Sequence, residues 1–378
     1  MIPDNTFSRL RSNSHGLLCP HLEWLDWDVE AAPALLYIPQ LFLSPHLKRI
    51  TFRTHYLRSG ALRQELRLLP EVILCLPASL EHLSLACGSR EGEHLKDAIS
   101  SLVLRCGPSL RTFCAREPLS EAALHHLIQV PGIRHWTTIR GPPQIVPISI
   151  FLSLEGLRLE KRPAPAWLHL LASHEKGILQ NGFASATPYT NIRETLKFLD
   201  CRECIIDSTL LSSVVEFRNL VALCMDACCW YTEGPCEFHL GDDDAENLAA
   251  AFPRLWTLKL GQPCHSGTCN TTVVSLMMIS TRCLQLTPLE IHFNTLTITH
   301  DMQRLLDGGL GRDVPRCELD VVLVGFLPLE LCEDGVRTVA KGFAAIFPCL
   351  EGLHVYRDQG SWQKVVSVYG RVCCGIRG

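Results

Sequence analysis

Nineteen cysteines, sixteen histidines and an acidic run at 242–246 are the residues of this 378-residue chain whose types could do chemistry. The densest thiol grouping is Cys201-x-x-Cys204, with Cys224-x-x-x-Cys228 following 20 residues after Cys204. Two close thiol pairs at such a separation are near the spacing of a tetrahedral zinc site. Cys264-His265-Ser266-Gly267-Thr268-Cys269 is a second candidate, for a metal or a disulfide, but one pair supplies too few ligands. Asp242-Asp243-Asp244-Ala245-Glu246 would suit a hard cation. It lacks the spaced ligands, the Gly and the Glu of a calcium loop, and reads instead as negative charge at a helix N-terminus. His125-His126 read as one core-flanking and one solvated histidine, and Gly308-Gly309-Leu310-Gly311 as a turn. The sequence holds no nucleophile elbow, phosphate loop or metalloprotease helix. No catalytic residue, metal or cofactor is therefore expected. A metal-binding or hydrolytic enzyme built on the Cys/His-rich middle is the alternative.

Composition narrows the setting. Hydrophobic residues make up 47% and charged residues 20%, enough for a large core and too apolar for disorder over most of the chain. The net charge of −4 implies no strongly charged nucleic-acid surface. Met1-Ile2-Pro3-Asp4-Asn5 does not open a signal peptide, and apolar windows such as Leu66–Leu76 are too short and too interrupted to span a bilayer. An intracellular protein with reduced cysteines, contacting neither membrane nor nucleic acid, is the expectation.

The elements that must position these residues come from a recurring phrase: Leu or Ile, two residues, an apolar residue, one residue, another apolar residue. Clear copies begin at Leu22, Leu47, Leu80, Leu154, Leu220, Leu255, Leu286 and Leu350, and weaker ones at Leu110, Ile133, Leu196 and Leu319. Several follow Cys-Pro, Ser-Pro or Phe-Pro. Spacings between first residues run from 21 to 42 and average about 30, a little above the usual leucine-rich range. Positions 4 and 6 are apolar and alternate with mostly polar positions 3, 5 and 7, the period of a strand. Between phrases lie helical patterns at 94–105, 120–129, 243–252, 271–283, 299–307 and 332–347, several opening on an Asp, Ser or Thr that suits an N-cap. Strand then helix, repeated, predicts an α/β leucine-rich-repeat solenoid, a horseshoe of irregular repeats with a parallel sheet on its concave face. The boundaries read as an N-terminal segment or cap at 1–18, the solenoid at 19–358 with an irregular insertion near 161–194, and a C-terminal tail at 359–378. A doubly wound α/β domain fits less well, because no Gly-rich first turn is present.

This register bears on the thiols. Cys201 falls at an inward position 6 and Cys224 at an outward position 5, so neighbouring strands place them on opposite faces. Cys204, Cys228 and Asn294 fall at position 9, where leucine-rich repeats use Cys or Asn to satisfy turn backbone, with Ile206, Trp230 and Leu296 expected as the apolar residue two further on. The structural reading of the cysteines is preferred to the metal reading. Outward positions 3, 5 and 7 then decide what binds. They include Trp24, Asp26, Arg49, Arg53, Arg158, Phe198, Arg202, Asp226, Lys259, Glu290, His292 and Tyr356. Their charges are mixed, and Trp, Tyr, Phe and Arg are types that anchor protein interfaces. A protein partner is expected there.

Two segments carry a family resemblance. Phe252-Pro-Arg-Leu-Trp-Thr-Leu-Lys-Leu-Gly261, with Cys264, Cys269, Thr271-Thr272 and Ser275-Leu276, is one, and Cys283-Leu-Gln-Leu-Thr-Pro-Leu-Glu-Ile-His-Phe-Asn294 is the other. Together with 343–353 they resemble fungal F-box/leucine-rich-repeat proteins, best over about 190–358. The resemblance implies repeats that capture a substrate for a cullin ubiquitin ligase, docked through an F-box on a Skp-type adaptor. Here the first repeat starts at Leu22, and residues 1–18 are too few for an F-box bundle. Leu69-Pro70-Glu71-Val72-Ile73-Leu74 is similar to an F-box opening but runs into the repeat at Leu80, so it reads as a helix of the second repeat. The adaptor is expected only if an F-box is supplied upstream; otherwise a scaffold without ligase contact is the rival reading.

Overall fold

The structure, a computed structural model, describes residues 9, 16–28, 37–53, 67–86, 92–115, 117–138, 153–160, 168, 192–227, 238–261, 270–291, 293–308, 319, 321–324, 331–348, 350, 352–355 and 361–376. The acidic run and the histidine pair fall among them. Trp230, the 264–269 Cys/His segment, most of the expected insertion at 161–194 and most of residues 1–18 lie outside. The chain divides into two compact units, 1–159 with 174–195, and 160–173 with 196–378.

Every one of the twelve phrases becomes a strand that starts two residues after its first Leu or Ile. In the first unit these are β1 (Trp24–Asp28), β2 (Arg49–Arg53), β3 (His82–Ala86), β4 (Thr112–Ala115), β5 (His135–Thr138) and β6 (Gly156–Glu160). Each pairs in parallel with the next. The register sets Leu25, Ile50, Leu83, Phe113, Trp136 and Leu157 side by side at position 4, and all are buried. Parallel neighbours need a crossover, and the described helices supply it as α1 (Ile38–Leu41), α2 (Leu69–Leu74), α3 (Gly92–Cys106) and α4 (Glu121–Gln129), with α5 (Ile192–Thr195) later in the unit. Leu69–Leu74 is thus a helix of the second repeat, with Leu69, Val72 and Ile73 buried. Ser120 caps α4, its hydroxyl accepting from the Ala123 N–H at 3.3 Å.

The second unit repeats the scheme with β7 (Phe198–Cys204), β8 (Ala222–Ala227), β9 (Thr257–Leu260), β10 (Pro288–Ile291), β11 (Val321–Val324) and β12 (Gly352–Val355), again parallel in sequence order. Its helices are α6 (Ser208–Val214), α7 (Asp242–Ala251), α8 (Val273–Arg282), α9 (Ile298–Asp307), α10 (Glu333–Ile346) and α11 (Trp362–Ile376). Leu199, Leu223, Leu258, Leu289, Val322 and Leu353 line up at position 4, all buried. Each unit is a leucine-rich α/β solenoid, as expected. α11 occupies a segment where the sequence pattern named only a tail. Its Trp362, Val365 and Tyr369, at i, i+3 and i+7, are buried, and the Tyr369 hydroxyl donates to the Phe347 carbonyl at 3.0 Å.

The turns ahead of the strands explain the Pro-linked prefixes. Ser44 Oγ donates to the Pro20 carbonyl, Ser79 Oγ to Pro45, Ser109 Oγ to Ala78 and Leu80, and Ser153 Oγ to Pro131 and Ile133. Thiols do the same work: Cys106 Sγ reaches the Pro77 carbonyl at 3.3 Å and Cys283 Sγ the Phe252 carbonyl at 3.5 Å. A carbonyl that faces away from the ladder would otherwise be left unpaired in a partly buried turn.

The acidic run is a second stitch between repeats. The Asp242 carboxylate, in the first turn of α7, accepts from the Thr272 N–H and hydroxyl at 2.7 Å each and from the Ser275 hydroxyl at the start of α8. Asp244 accepts from the Gly241 N–H at 3.0 Å and the Ser208 hydroxyl at 3.1 Å. The negative charge sits at a helix N-terminus as the sequence suggested, and it caps the following helix as well as its own.

Candidate functional site

In a strand, inward and outward side chains alternate. With positions 4 and 6 committed to the core, positions 3, 5 and 7 stand on the other face of the strands. Their backbone groups are used in the ladder, so recognition there belongs to side chains.

In the first unit the position-3 row runs Trp24, Arg49, His82, Thr112, His135, Gly156. Trp24 is 58% exposed, and the Arg49 guanidinium lies over its ring at 4.4 Å from the centroid, a cation–π pair. Arg53, at position 7 of β2, is ion-paired with Asp26 at position 5 of β1. Arg158 lies half-buried at position 5 of β6. The His135 ring occupies the space that a Cβ at Gly156 would need, which is why this row ends on glycine. Burial lowers the pKa of His82, assisted by the Arg49 charge. Burial likewise lowers that of His135, with Glu155 opposing and Arg134 assisting.

One row was not anticipated. Position 2, just ahead of each strand, reads Glu23, Lys48, Glu81, Arg111, Arg134, Glu155. Glu23 pairs with Lys48 at 3.3 Å, Glu81 with Arg111 at 3.5 Å and Arg134 with Glu155 at 3.9 Å. The pairs are exposed, so each is worth no more than about 1 kcal/mol. The signal is in the sequence, where the residue after each first Leu or Ile of this unit is charged and opposite in sign to a neighbour in the row.

In the second unit the outward positions gather a compact charged group. The Arg202 Nε donates to both Asp200 oxygens at 3.2 and 3.1 Å, and lies 4.0 Å from Asp226. Lys259 pairs with Glu290 at 3.2 Å. The register sets Asp200, Cys224, Lys259 and Glu290 side by side at position 5. The three carboxylate side chains are only 16–23% exposed, while the Arg202 and Lys259 side chains are 43% and 45% exposed. Burial pushes the Cys224 thiol up to about 11, with Asp200 as the next contributor. Arg202 and Glu203 form a bulge in the ladder between Cys201 and Cys204, where Glu203 takes a left-handed φ of 53°.

Aromatic surface lies beside this group. Phe198, at position 3 of β7, is 42% exposed, with Ala222, Thr257 and Pro288 beyond it along the row. Trp256, at position 2 of the next repeat but one, is 61% exposed and was not among the sequence candidates. The structure thus brings Trp24, Asp26, Arg49 and Arg53 together on the strands of the first unit, and Phe198, Arg202, Asp226, Lys259 and Glu290 on those of the second. His292 and Tyr356 lie outside the described residues.

The thiol cluster separates as the register demands. Cys201 pairs with Met225 and is fully buried, while Cys224 pairs with Asp200 on the opposite face. Cys204 Sγ donates toward the Asp226 carbonyl at 3.6 Å and the Cys201 carbonyl at 3.7 Å, the turn-satisfying role assigned to position 9. Asn294 does comparable work, its Oδ1 accepting from the Leu296 N–H at 2.9 Å. Leu296 departs from expectation: it is 83% exposed, whereas Ile206 is buried as predicted. The Asn294-centred turn directs Leu296 outward, and the inward role passes to Ile298. Among the described residues no group of three or more His, Cys, Asp or Glu is placed to hold a metal. No helix among them is long and apolar enough to cross a membrane.

No family model matches the chain, and no curated protein matches it. Among solved structures, a chain from the crystal structure of the Rad7 and Elc1 complex in yeast aligns over 90% of this chain and 70% of its own length, at 14% sequence identity and a TM-score of 0.49.

Proposed function

We propose that this chain is a protein-interaction module that receives its partner on the outward face of the parallel strands. The observation that carries this reading is the chemistry of that face. Trp24, Phe198 and Trp256 are large aromatic residues left 42–61% exposed on or beside the strands. Charged groups surround them: Arg49, Arg53 and Asp26 in one unit, Arg202, Asp226, Lys259 and Glu290 in the other. Aromatic and Arg anchors ringed by polar groups are the composition of an interface centre. Arg158, His292 and Tyr356 complete the proposed surface from the sequence register.

The resemblance to fungal F-box/leucine-rich-repeat proteins supports a narrower version, in which the captured partner is a substrate of a Skp–cullin ubiquitin ligase. The alternative within the same class is a scaffold with no ligase contact. Co-purification with a Skp-type adaptor separates the two. The broader reading is tested by reversing Arg49, Arg53, Arg158 and Arg202 to Glu together. A variant that keeps its circular dichroism spectrum should lose the partners that the unaltered chain retains in pull-down. Retention of every partner by the folded variant overturns it.

A further inference from the structure

The outward face of the second unit sorts its chemistry into two bands. At and just ahead of the N-terminal ends of the strands the exposed aromatic groups gather: Phe198 on the face and Trp256 immediately before it, with Val221, Ala222 and Pro288 in partial contact with solvent and Lys197, Thr257 and Thr287 as the polar members of these rows. From position 5, two residues or about 6.6 Å further along each strand, the face becomes charged, and the charge continues to position 7. Asp200 and Glu290 at position 5, Asp226 at position 7 and Glu160, which also acts on Arg202, supply four negative charges against the three positive charges of Arg202, Lys259 and the exposed Lys197 ahead of the face. The carboxylates are the less exposed partners, and the cations lie over them. Burial works against the charged forms of Arg202 and Lys259, and the neighbouring carboxylates, Asp200 and Glu290 foremost, together outweigh it.

We infer that the partner segment recognised by this unit is a basic peptide with an aromatic or large aliphatic anchor. The anchor sits against Trp256 and Phe198, and an Arg or Lys a short step away joins the Asp200–Asp226–Glu290 carboxylates. This rests on the proposed face being the binding surface. Charge complementarity selects the sign: an incoming guanidinium or ammonium offsets the excess negative charge, whereas an incoming carboxylate adds to it in a partly desolvated setting where like charges repel strongly. The aromatic band selects the anchor, because exposed Trp and Phe gain most from apolar or cation–π contact.

The test is selection of a phage-displayed library of random twelve-residue peptides on the full chain, followed by affinity measurement with the enriched synthetic peptides. Enriched sequences should combine Arg or Lys with an aromatic or Leu. Asp226→Asn should weaken them about tenfold, Trp256→Ala at least as much, and Lys259→Glu should strengthen them. Folding of each variant is checked by thermal melt. Peptides that bind in a Trp256-dependent way but are acidic or uncharged would overturn the inference and leave the face intact as a binding surface. Peptides indifferent to both Trp256→Ala and Asp226→Asn, or no enrichment at all, would overturn both.

Discussion

Replacing the half-buried Asp242 by Ala should destabilise the second unit far more than its place in a run of acidic residues suggests. The carboxylate accepts three hydrogen bonds across a repeat boundary, including one from the Thr272 N–H. The Thr272 and Ser275 hydroxyls can rotate to other acceptors, but the N–H cannot, and leaving it unpaired costs about 1–3 kcal/mol. Losing the favourable charge at the start of α7 adds roughly 0.3–1 kcal/mol. The sum, about 1.3–4 kcal/mol, corresponds to a fall in Tm on the order of 3–15 °C for a unit of this size. Asp243→Ala is the control, since Asp243 makes none of these bonds and should change stability by about 0.5 kcal/mol or less. Urea melts followed by circular dichroism give the free energies. Hydrogen exchange should localise the Asp242→Ala effect to the first turn of α8. Equal effects of the two substitutions, or unchanged exchange at Thr272 and Val274, would refute the reasoning.

Three further outcomes follow from the packing. Gly342→Ala should lower stability, because its Cβ would overlap the buried Met302 thioether of α9; overpacking costs about 1–3 kcal/mol, more than the ~1 kcal/mol gained in helix propensity. Gly370→Ala on α11, where a new Cβ meets nothing within 4 Å, should do the reverse and raise Tm. Acidification should weaken the first unit through His82 and His135: both pKa values are lowered in the fold, so the unfolded chain binds more protons, and stability present above about pH 6.5 is lost as pH falls below it. A melt series between pH 8 and 5 on a His82→Gln/His135→Gln double variant should show that slope reduced; an unchanged slope counts against the assignment. In thiol labelling of the native protein, exposed Cys19, Cys75 and Cys332 should react quickly and buried Cys201, Cys204 and Cys283 only on unfolding, which mass mapping of the adducts reads directly.

Strand placement was legible because one side of each strand is a core. A one-residue slip would turn Leu25, Leu83, Leu258 and Leu353 outward, so the apolar alternation admits a single register, and even the weak phrases at Leu110, Ile133, Leu196 and Leu319 obey it. Helix starts are legible at Ser120 and Thr272, whose hydroxyls cap long apolar patterns, but not at Asp207, which caps the seven-residue α6, too short to show its period. The less legible features lie where the pattern stops constraining. Position 2 precedes the strand and is free of the alternation, which hid both the Glu–Lys/Arg row and Trp256. Leu296 fits the sequence rule of an apolar residue two beyond position 9, but the turn at Asn294 leaves it exposed and Ile298 is buried instead. The bulge that keeps Cys204 inward in β7 depends on Glu203 adopting a left-handed φ, for which no glycine or asparagine gave notice. Within the candidate site, residue types and outward direction were readable from sequence. The pairings Arg202–Asp200, Lys259–Glu290 and Arg49–Trp24 required neighbouring strands to be set in register.

The central claim is that recognition occurs on the strand face and not on the helices. Photo-crosslinking amino acids placed one at a time at Thr51 and Lys259 on the strands, and at Asp97 and Lys341 on the exposed helix surfaces, test it in lysate of the cells that express the protein. The account predicts adducts with a common partner from Thr51 or Lys259, competed by the unlabelled chain, and none from Asp97 or Lys341. Adducts confined to the helix positions would contradict it.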